Sequence, residues 1–323
     1  MLSNMKILIT GGAGFIGSNV VEKLVADNEI TVIDNLSNVP DDRYIRDFRK
    51  KKSFSFLKKD LADPETFKDL PKFDVILHLA AHSDVRGGYE HPEIDFRQNI
   101  EVTRNLLEFI RQKGIKELMF SSTSAVYGEA SVIPTPETYG PCKPISSYGA
   151  TKLADEALIF AYSSYYHFRA SVFRFANVVG KNSTHGAIYD FIKKLKENPK
   201  KLDVLGDGAQ AKSYIHVSDC VNAILFVHSL SKVTDLFNLG NTGVTSVKKI
   251  ADIVVKELGL KDVNVNFTGG YEGRGWVGDV KLAELDTAKT ARLGWKNEHS
   301  SDDAVKTAAH EIMTQVRIDK SLI

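Results

Sequence analysis

The chain has 323 residues, room for about two domains at ~100–200 residues each and for a core that needs no disulfide or metal staple. Its 42 Lys plus Arg against 41 Asp plus Glu leave a formal charge of +1, which gives no warrant for nucleic acid or an anionic membrane as the main partner. Cys142 and Cys220 are too few for a disulfide framework, no apolar run nears the ~18–20 residues of a membrane span, and MLSNMKILITGG leaves no room for a secretory segment. A soluble, cytoplasmic, globular protein is expected.

Short apolar runs at residues 6–10, 29–34, 54–60, 74–80, 117–122 and 170–177 predict strands, several of them continuously hydrophobic as strands buried on both faces are. Helical stretches at 15–27, 64–70, 91–113 and 148–167 alternate with them. That rhythm predicts an α/β fold with a doubly wound parallel sheet. After residue 177 the pattern loosens, with turn signals at 204–210 and 268–275, and a second, smaller, interleaved lobe is expected there.

The sharpest local signal is ILITGGAGFIGSNVV at residues 7–21. Gly11, Gly14 and Gly17 follow a strand and open a helix, where glycines permit a tight turn and close backbone approach to a pyrophosphate. The helix start would offer that diphosphate unpaired N–H groups and a positive dipole end. Asp34 closes the second strand, 17 residues after Gly17, where an acid binds an adenosine ribose diol and repels a 2′-phosphate. NAD is therefore preferred over NADP. An ordinary strand–turn–helix is the plain alternative for the glycines, and an end-of-strand turn for Asp34.

About a hundred residues later, FSSTSAVYG (120–128) ends a strand and SSYGATKLADEA (146–157) opens a helix. Tyr148 and Lys152 are four apart and project from one helical face. An ammonium beside a phenol stabilises the phenolate and can lower a tyrosine from ~10 toward neutrality, making it a general base. Ser121, Ser122 and Thr123 could orient a substrate alcohol. Taken alone, a Tyr and a Lys at this spacing are common on surface helices.

TGGAGFIG, HLAA (78–81), SSTSAVYG, YGATK and RFANVVG (174–180) together resemble the extended short-chain dehydrogenase/reductase superfamily. Within it the chain resembles the NAD-dependent nucleotide-sugar epimerases, especially the UDP-glucose (UDP-galactose) 4-epimerases, through KSYIHVSDC (212–220), GRGWVGDV (273–280) and LGW (293–295). The resemblance implies a Rossmann domain over residues 1–176 plus about 216–245, and a nucleotide-sugar lobe over about 177–215 plus 246–323. It assigns Tyr148 as base, Lys152 as its electrostatic partner and nicotinamide-ribose ligand, and Thr123 as the hydroxyl that bonds the reacting sugar. Cofactor positions would be Gly11, Gly14, Phe15, Ile16, Gly17, Asp34, Asn35, Ser37, Asp60, Leu61, Leu79, Ala80, Ala81, Ser83, Asn99 and Ser121, besides Tyr148 and Lys152. For the substrate, Asn177, Lys212, Arg274 and Asp279 match the positions that hold the diphosphate and ribose. Ala283 matches the one that decides whether a 2-acetamido group fits. Two departures stand out. Lys212 replaces the usual arginine, which removes bidentate anion binding. Arg274 and Asp279 are five apart, with Trp276 and Val277 between them, so the family's tighter Arg-x-Gly-Asp spacing is loosened and the substrate contact of Arg274 is expected to be less secure.

The resemblance further implies a UDP-hexose substrate and a homodimer, with helical stretches 91–113 and 148–167 pairing across it through Leu106, Phe109, Ile110, Leu158, Ile159 and Tyr162. Related 4,6-dehydratases carry an Asp-Glu pair just after the hydroxyl residue, and decarboxylases keep a glutamate there. Ser124 and Ala125 occupy those places here, favouring epimerisation over dehydratase or decarboxylase chemistry. A uronate epimerase and a non-catalytic NAD-binding scaffold remain the other readings. No metal site is expected: His78 and His82 are spaced i, i+4, but at a strand end and without a glutamate base between them.

Overall fold

In the computed structural model, which describes residues 2–39 and 41–318, the six predicted runs form strands Lys6–Thr10 (β1), Glu29–Asp34 (β2), Phe54–Lys58 (β3), Val75–His78 (β4), Glu117–Thr123 (β5) and Arg169–Phe175 (β6). A seventh, Asp235–Leu239, joins them in one parallel sheet ordered Asp235–Leu239, β6, β5, β4, β1, β2, β3. The continuous hydrophobicity of β1 and β4 is explained by burial: Ile7, Leu8, Ile9, Val75, Ile76 and Leu77 are wholly covered. β1 pairs with β2 on one side and β4 on the other, so the winding reverses there. Ligands of such sheets lie beyond the carboxyl ends at this reversal. The register sets Thr10 beside His78 at that end.

The helices Val102–Lys113 and Ser147–Tyr166 cover the sheet. Leu106, Phe109, Ile110 and Ile159 are buried in one core with Ile76, Leu118 and Phe120, each aliphatic contributing about 1.5–3 kcal/mol of burial. Residues expected to face a partner subunit thus pack within their own. Helical spacing shows that a face is apolar, not what covers it.

Several boundaries differ from expectation. The first helix is Phe15–Leu24, and residues 64–70 give only a 3₁₀ turn, Pro64–Phe67, capped by Asp63. Residues 91–113 are not one regular helix: a π turn, Phe96–Glu101, joins Pro92–Asp95 to Val102–Lys113. The run 170–177 breaks at Ala176. Its N–H still bonds Leu239 O at 2.8 Å, but the Asn177 N–H turns to Ser213 O at 3.2 Å, and a separate strand, Asn177–Val179, begins.

The chain forms two units: Met1–Gly128, Cys142–Arg174 and Val221–Phe237; then Glu129–Pro141, Phe175–Cys220 and Asn238–Ile323. Helices Ala187–Glu197, Val247–Glu257 and Ser301–Ile318 of the second unit enclose a core that includes Ile192, Leu202, Ile250, Ala308 and Ile312. Its sheets are small. Ala211–Lys212 runs between Thr245–Ser246 and Leu282–Ala283. No helix among the described residues is long and apolar enough to cross a membrane.

Candidate active site

In the first unit, the chain leaves β1 through the glycine turn. Gly11 has φ +69°, and a Cβ there would lie 2.7 Å from Ala80 N; at Gly17 it would lie 2.1 Å from Gly11 O. The fold itself demands both glycines. Gly14 is different, because its missing Cβ would meet only Gly11 O, at 3.4 Å. It is the N-cap of Phe15–Leu24 and supplies no side-chain cap, so first-turn N–H groups stay open to an anion. Asp34 fixes the turn to the end of β2: Oδ2 accepts from Ala13 N at 3.0 Å and Oδ1 from Leu36 N at 2.8 Å. Burial raises its pKa, against the pull of those backbone N–H groups. A third backbone N–H, that of Gly14, also pulls on this carboxylate, and a lone pair is left for the ribose diol. A turn open at Gly14 and an acid at the neighbouring strand end fit NAD.

The remaining expected cofactor residues lie along the same strand ends. Phe15 and Ile16 are half-buried in the first helical turn, and Asn35 Oδ1 accepts from Ser37 N at 3.0 Å. Asp60 Oδ1 accepts from Ala62 N at 2.9 Å, and this turn is tied down by Asn105, which donates to Leu61 O at 3.0 Å. Leu79, Ala80, Ala81 and Ser83 are half-buried after β4. Leu79 and Ala80 donate to Thr10 Oγ1, and Asn38 donates to Ala81 O at 3.3 Å. Ser121 donates to His78 O at 3.1 Å. His78 is sealed between Thr10 (2.7 Å) and Thr103 (3.2 Å), and burial, aided by the Lys152 charge, holds it well below its ordinary pKa. It is a neutral structural histidine.

The helix Ser147–Tyr166 starts on the Ser146 cap, whose Oγ accepts from Gly149 N at 3.1 Å. A Cβ on Gly149 would lie 2.6 Å from Ala125 O, so the glycine lets this first turn press against the turn after β5. That places Tyr148 against Thr123, to which it is hydrogen-bonded. Thr123 Oγ1 also accepts from Ala125 N at 3.1 Å. The expected lowering of Tyr148 by Lys152 is not what this structure holds. Burial, with Asp95 and Asp155 adding to it, pushes the phenol up to about 12 against the Thr123 hydroxyl. Lys152 is turned to other partners: Nζ lies 3.9 Å over the Phe120 ring and 3.6 Å from Asp155 Oδ2.

Sequence reading missed Asp155 and Asp95, both of which act on Tyr148. His82 Nδ1 bonds Asp95 Oδ1 at 2.6 Å, while Ser147 donates to Asp95 Oδ2. Asn99, carried on the π turn, accepts from His82 N at 2.8 Å and donates to Thr151 Oγ1 at 2.9 Å; Thr151 donates to Tyr148 O at 3.0 Å. Helical spacing gave no sign that either acid would be buried beside Tyr148.

In the second unit, Asn177 bonds the phenol of Tyr214, the residue opposite it in the pairing with Tyr214–His216. Lys212 Nζ donates to Asp279 Oδ1 at 2.6 Å and lies 5.9 Å from the Trp276 ring centre. Arg274 donates to Asp279 O at 2.8 Å and pairs with Glu129 Oε1 at 2.6 Å. Despite their spacing, Lys212, Arg274 and Asp279 are brought together. Ala283 is half-buried, and the register sets it beside Lys212.

The model of the NAD dependent epimerase/dehydratase family matches residues 7–240. A UDP-glucose 4-epimerase of Streptomyces lividans is 31% identical over 95% of this chain and 95% of its own. A solved UDP-galactose 4-epimerase is 39% identical, with a TM-score of 0.85 over 97% of this chain and 100% of that one. A UDP-glucose 4-epimerase of Thermotoga maritima, solved with UDP-glucose, is 30% identical at a TM-score of 0.86, again over 97% and 100%.

Proposed function

The chain belongs to the NAD dependent epimerase/dehydratase family, and from that premise we propose that it is a nucleotide-sugar 4-epimerase interconverting UDP-glucose and UDP-galactose. The observation that carries this reading is the turn after Thr123. Ser124–Tyr127 leaves β5 as a 3₁₀ turn, and Ala125 donates its N–H to Thr123 Oγ1. Dehydration or decarboxylation would use a further acid or base there. A serine hydroxymethyl and a methyl group supply none.

In this reading Gly11, Gly14 and Gly17 with Phe15 and Ile16 hold the pyrophosphate. Asp34, Asn35 and Ser37 take the adenosine ribose, and the segments around Asp60, Leu79, Asn99 and Ser121 complete the surface. Bound there, NAD would supply a hydride acceptor and donor for C4, with no net redox change. Thr123 Oγ1 orients the sugar 4-hydroxyl, Tyr148 Oη takes its proton and gives it back, and Lys152 supplies positive charge to the phenolate. The second unit takes the nucleotide sugar through Asn177, Lys212, Arg274 and Asp279, with the small Ala283 leaving room for an acetamido group.

The reading includes a homodimer. Phe160, Tyr165 and Tyr166 support it, being exposed large side chains on Ser147–Tyr166. Sedimentation as a monomer at micromolar concentration refutes the dimer alone.

The test of the activity is incubation of the purified protein, with NAD but no reductant, on a panel of nucleotide sugars. UDP-glucose and UDP-galactose should interconvert. Turnover of only a uronate pair reassigns the substrate, and NAD binding with no turnover on any sugar reduces the chain to a scaffold.

A further inference from the structure

Asp155 stands three residues after Lys152 on the helix Ser147–Tyr166. Its Oδ2 is 3.6 Å from Lys152 Nζ, with side-chain exposures of 0% for Asp155 and 1% for Lys152. Neither carboxylate oxygen makes a hydrogen bond within ordinary distance. On β5, the wall of this pocket is the Phe120 ring, 3.9 Å from Nζ. A carboxylate buried with so little hydrogen bonding costs stability that an alanine would not.

The other charged and titratable groups around the pair are already committed or uncharged. From β4, His78 is neutral and bonded to Thr10 and Thr103. From Val102–Lys113, Thr103 faces Asp155 with a hydroxyl only. On the same helix, Glu156 spends both oxygens on Arg174, at 2.9 and 2.6 Å, and also accepts from Ser122 of β5. Asp95 is bound to His82 and Ser147, and Tyr148 is a protonated phenol. Asp155 is the acid left to answer the ammonium.

We propose that Asp155 is a positioning residue of this site, the buried counter-ion that keeps Lys152 protonated inside a wall that otherwise offers it only an aromatic face. The proposal rests on the assignment of Lys152 as electrostatic partner of Tyr148. Burial drives the lysine below its ordinary value; Asp155 is the chief opposing cause, and the charge of the Arg174-bound Glu156 adds to it. Burial drives Asp155 up to about 6, with Lys152 and Thr103 opposing. Above that pH Asp155 is ionised and can hold the ammonium. Below it the solution itself keeps Lys152 protonated, so the effect of Asp155 belongs to neutral and alkaline pH. Without such a partner, burial alone acts on the lysine and favours its neutral form.

The experiment titrates the Lys152 side chain by NMR of 13C-labelled lysine in the NAD-bound protein, its signal assigned by absence in Lys152→Met. Wild type should stay protonated through pH 8. Asp155→Asn should move the midpoint down by at least one unit and shift the alkaline limb of kcat/KM the same way. Asp155→Glu should restore both most of the way, because it keeps the charge. A purely structural role would lower activity at every pH and leave the limb in place. An Asp155→Asn midpoint equal to that of wild type overturns the proposal, as do equal shifts in the Asn and Glu variants. If neither variant folds, a wild-type Lys152 already neutral at pH 7 overturns it and one still charged at pH 8 supports it. The titration needs no nucleotide sugar, so failure of the epimerase reading would leave its outcome intact.

Discussion

Tyr148→Phe removes the one oxygen assigned to move the proton and leaves the ring to pack. In the protein as folded, burial pushes this phenol up to about 12, so at pH 7.5 roughly one molecule in 10⁴–10⁵ carries a phenolate, at tenfold per pH unit. Charge brought close to Tyr148 must supply the missing shift during catalysis. General-base loss is worth about 10²–10⁴ in rate, or roughly 2.7–5.4 kcal/mol at 1.36 per tenfold. Initial rates of UDP-glucose to UDP-galactose conversion should therefore fall at least a hundredfold, while NAD retained through desalting and nucleotide-sugar affinity stay near wild type. A difference absorbance titration at 295 nm, wild type minus Tyr148→Phe, isolates this tyrosine. Without NAD the step should come near pH 12, and with NAD it should move down. Turnover within about threefold of wild type, or a phenolate step near pH 7 in the NAD-free protein, would refute the reasoning.

Asp34→Ala should weaken NAD binding and narrow the gap to NADP, since it removes both the diol acceptor and the charge that repels a 2′-phosphate; a wild type that prefers NADP contradicts this role. Gly17→Ala, with its Cβ 2.1 Å from Gly11 O, should lower the melting temperature sharply. Gly14→Ala, at 3.4 Å, should keep it and lose NAD affinity instead, and the reverse pattern would mean that Gly14 serves the fold rather than the ligand. Ala283→Tyr should reduce activity on UDP-N-acetylglucosamine far more than on UDP-glucose, overfilling a packed site being worth ~1–3 kcal/mol or more. Equal losses on both sugars would show that position 283 gates nothing.

What could be read from the chain was whatever is local. The glycine turn, the acid closing β2 and the Tyr148–Lys152 face each depend on residues a few places apart, and their backbone context is set by one strand and one helix. Asp155 is the counter-case. An acid three residues after a lysine reads as an exposed helical ion pair of ~0.2–0.5 kcal/mol. It is buried because Val102–Lys113 and β5 close over that face, a long-range event with no trace in the spacing. The direction of the Tyr148 shift was missed for the same reason. Four residues of separation put an ammonium on the right face, but Asp155 and Phe120 decide where the ammonium rests.

The second unit was harder to read because its binding elements are too short to carry a period. Ala211–Lys212, Thr245–Ser246 and Leu282–Ala283 are two residues each, and two residues cannot show alternation. The longer spacing from Arg274 to Asp279 reads as a less secure substrate contact for Arg274, and the local geometry shows how the added residues are accommodated. One tight turn and one side-chain contact take up the extra residues: Asp279 N donates to Trp276 O at 3.2 Å, and Gly275 N donates to Asp279 Oδ2 at 3.2 Å. Arg274 reaches Asp279 O while Lys212 reaches the Asp279 carboxylate. Asp279 therefore organises both cations, one through its backbone and one through its side chain. The point-charge lysine loses the fork geometry of an arginine but gains a fixed position, because its ammonium is held by a carboxylate whose own residue is 5% exposed.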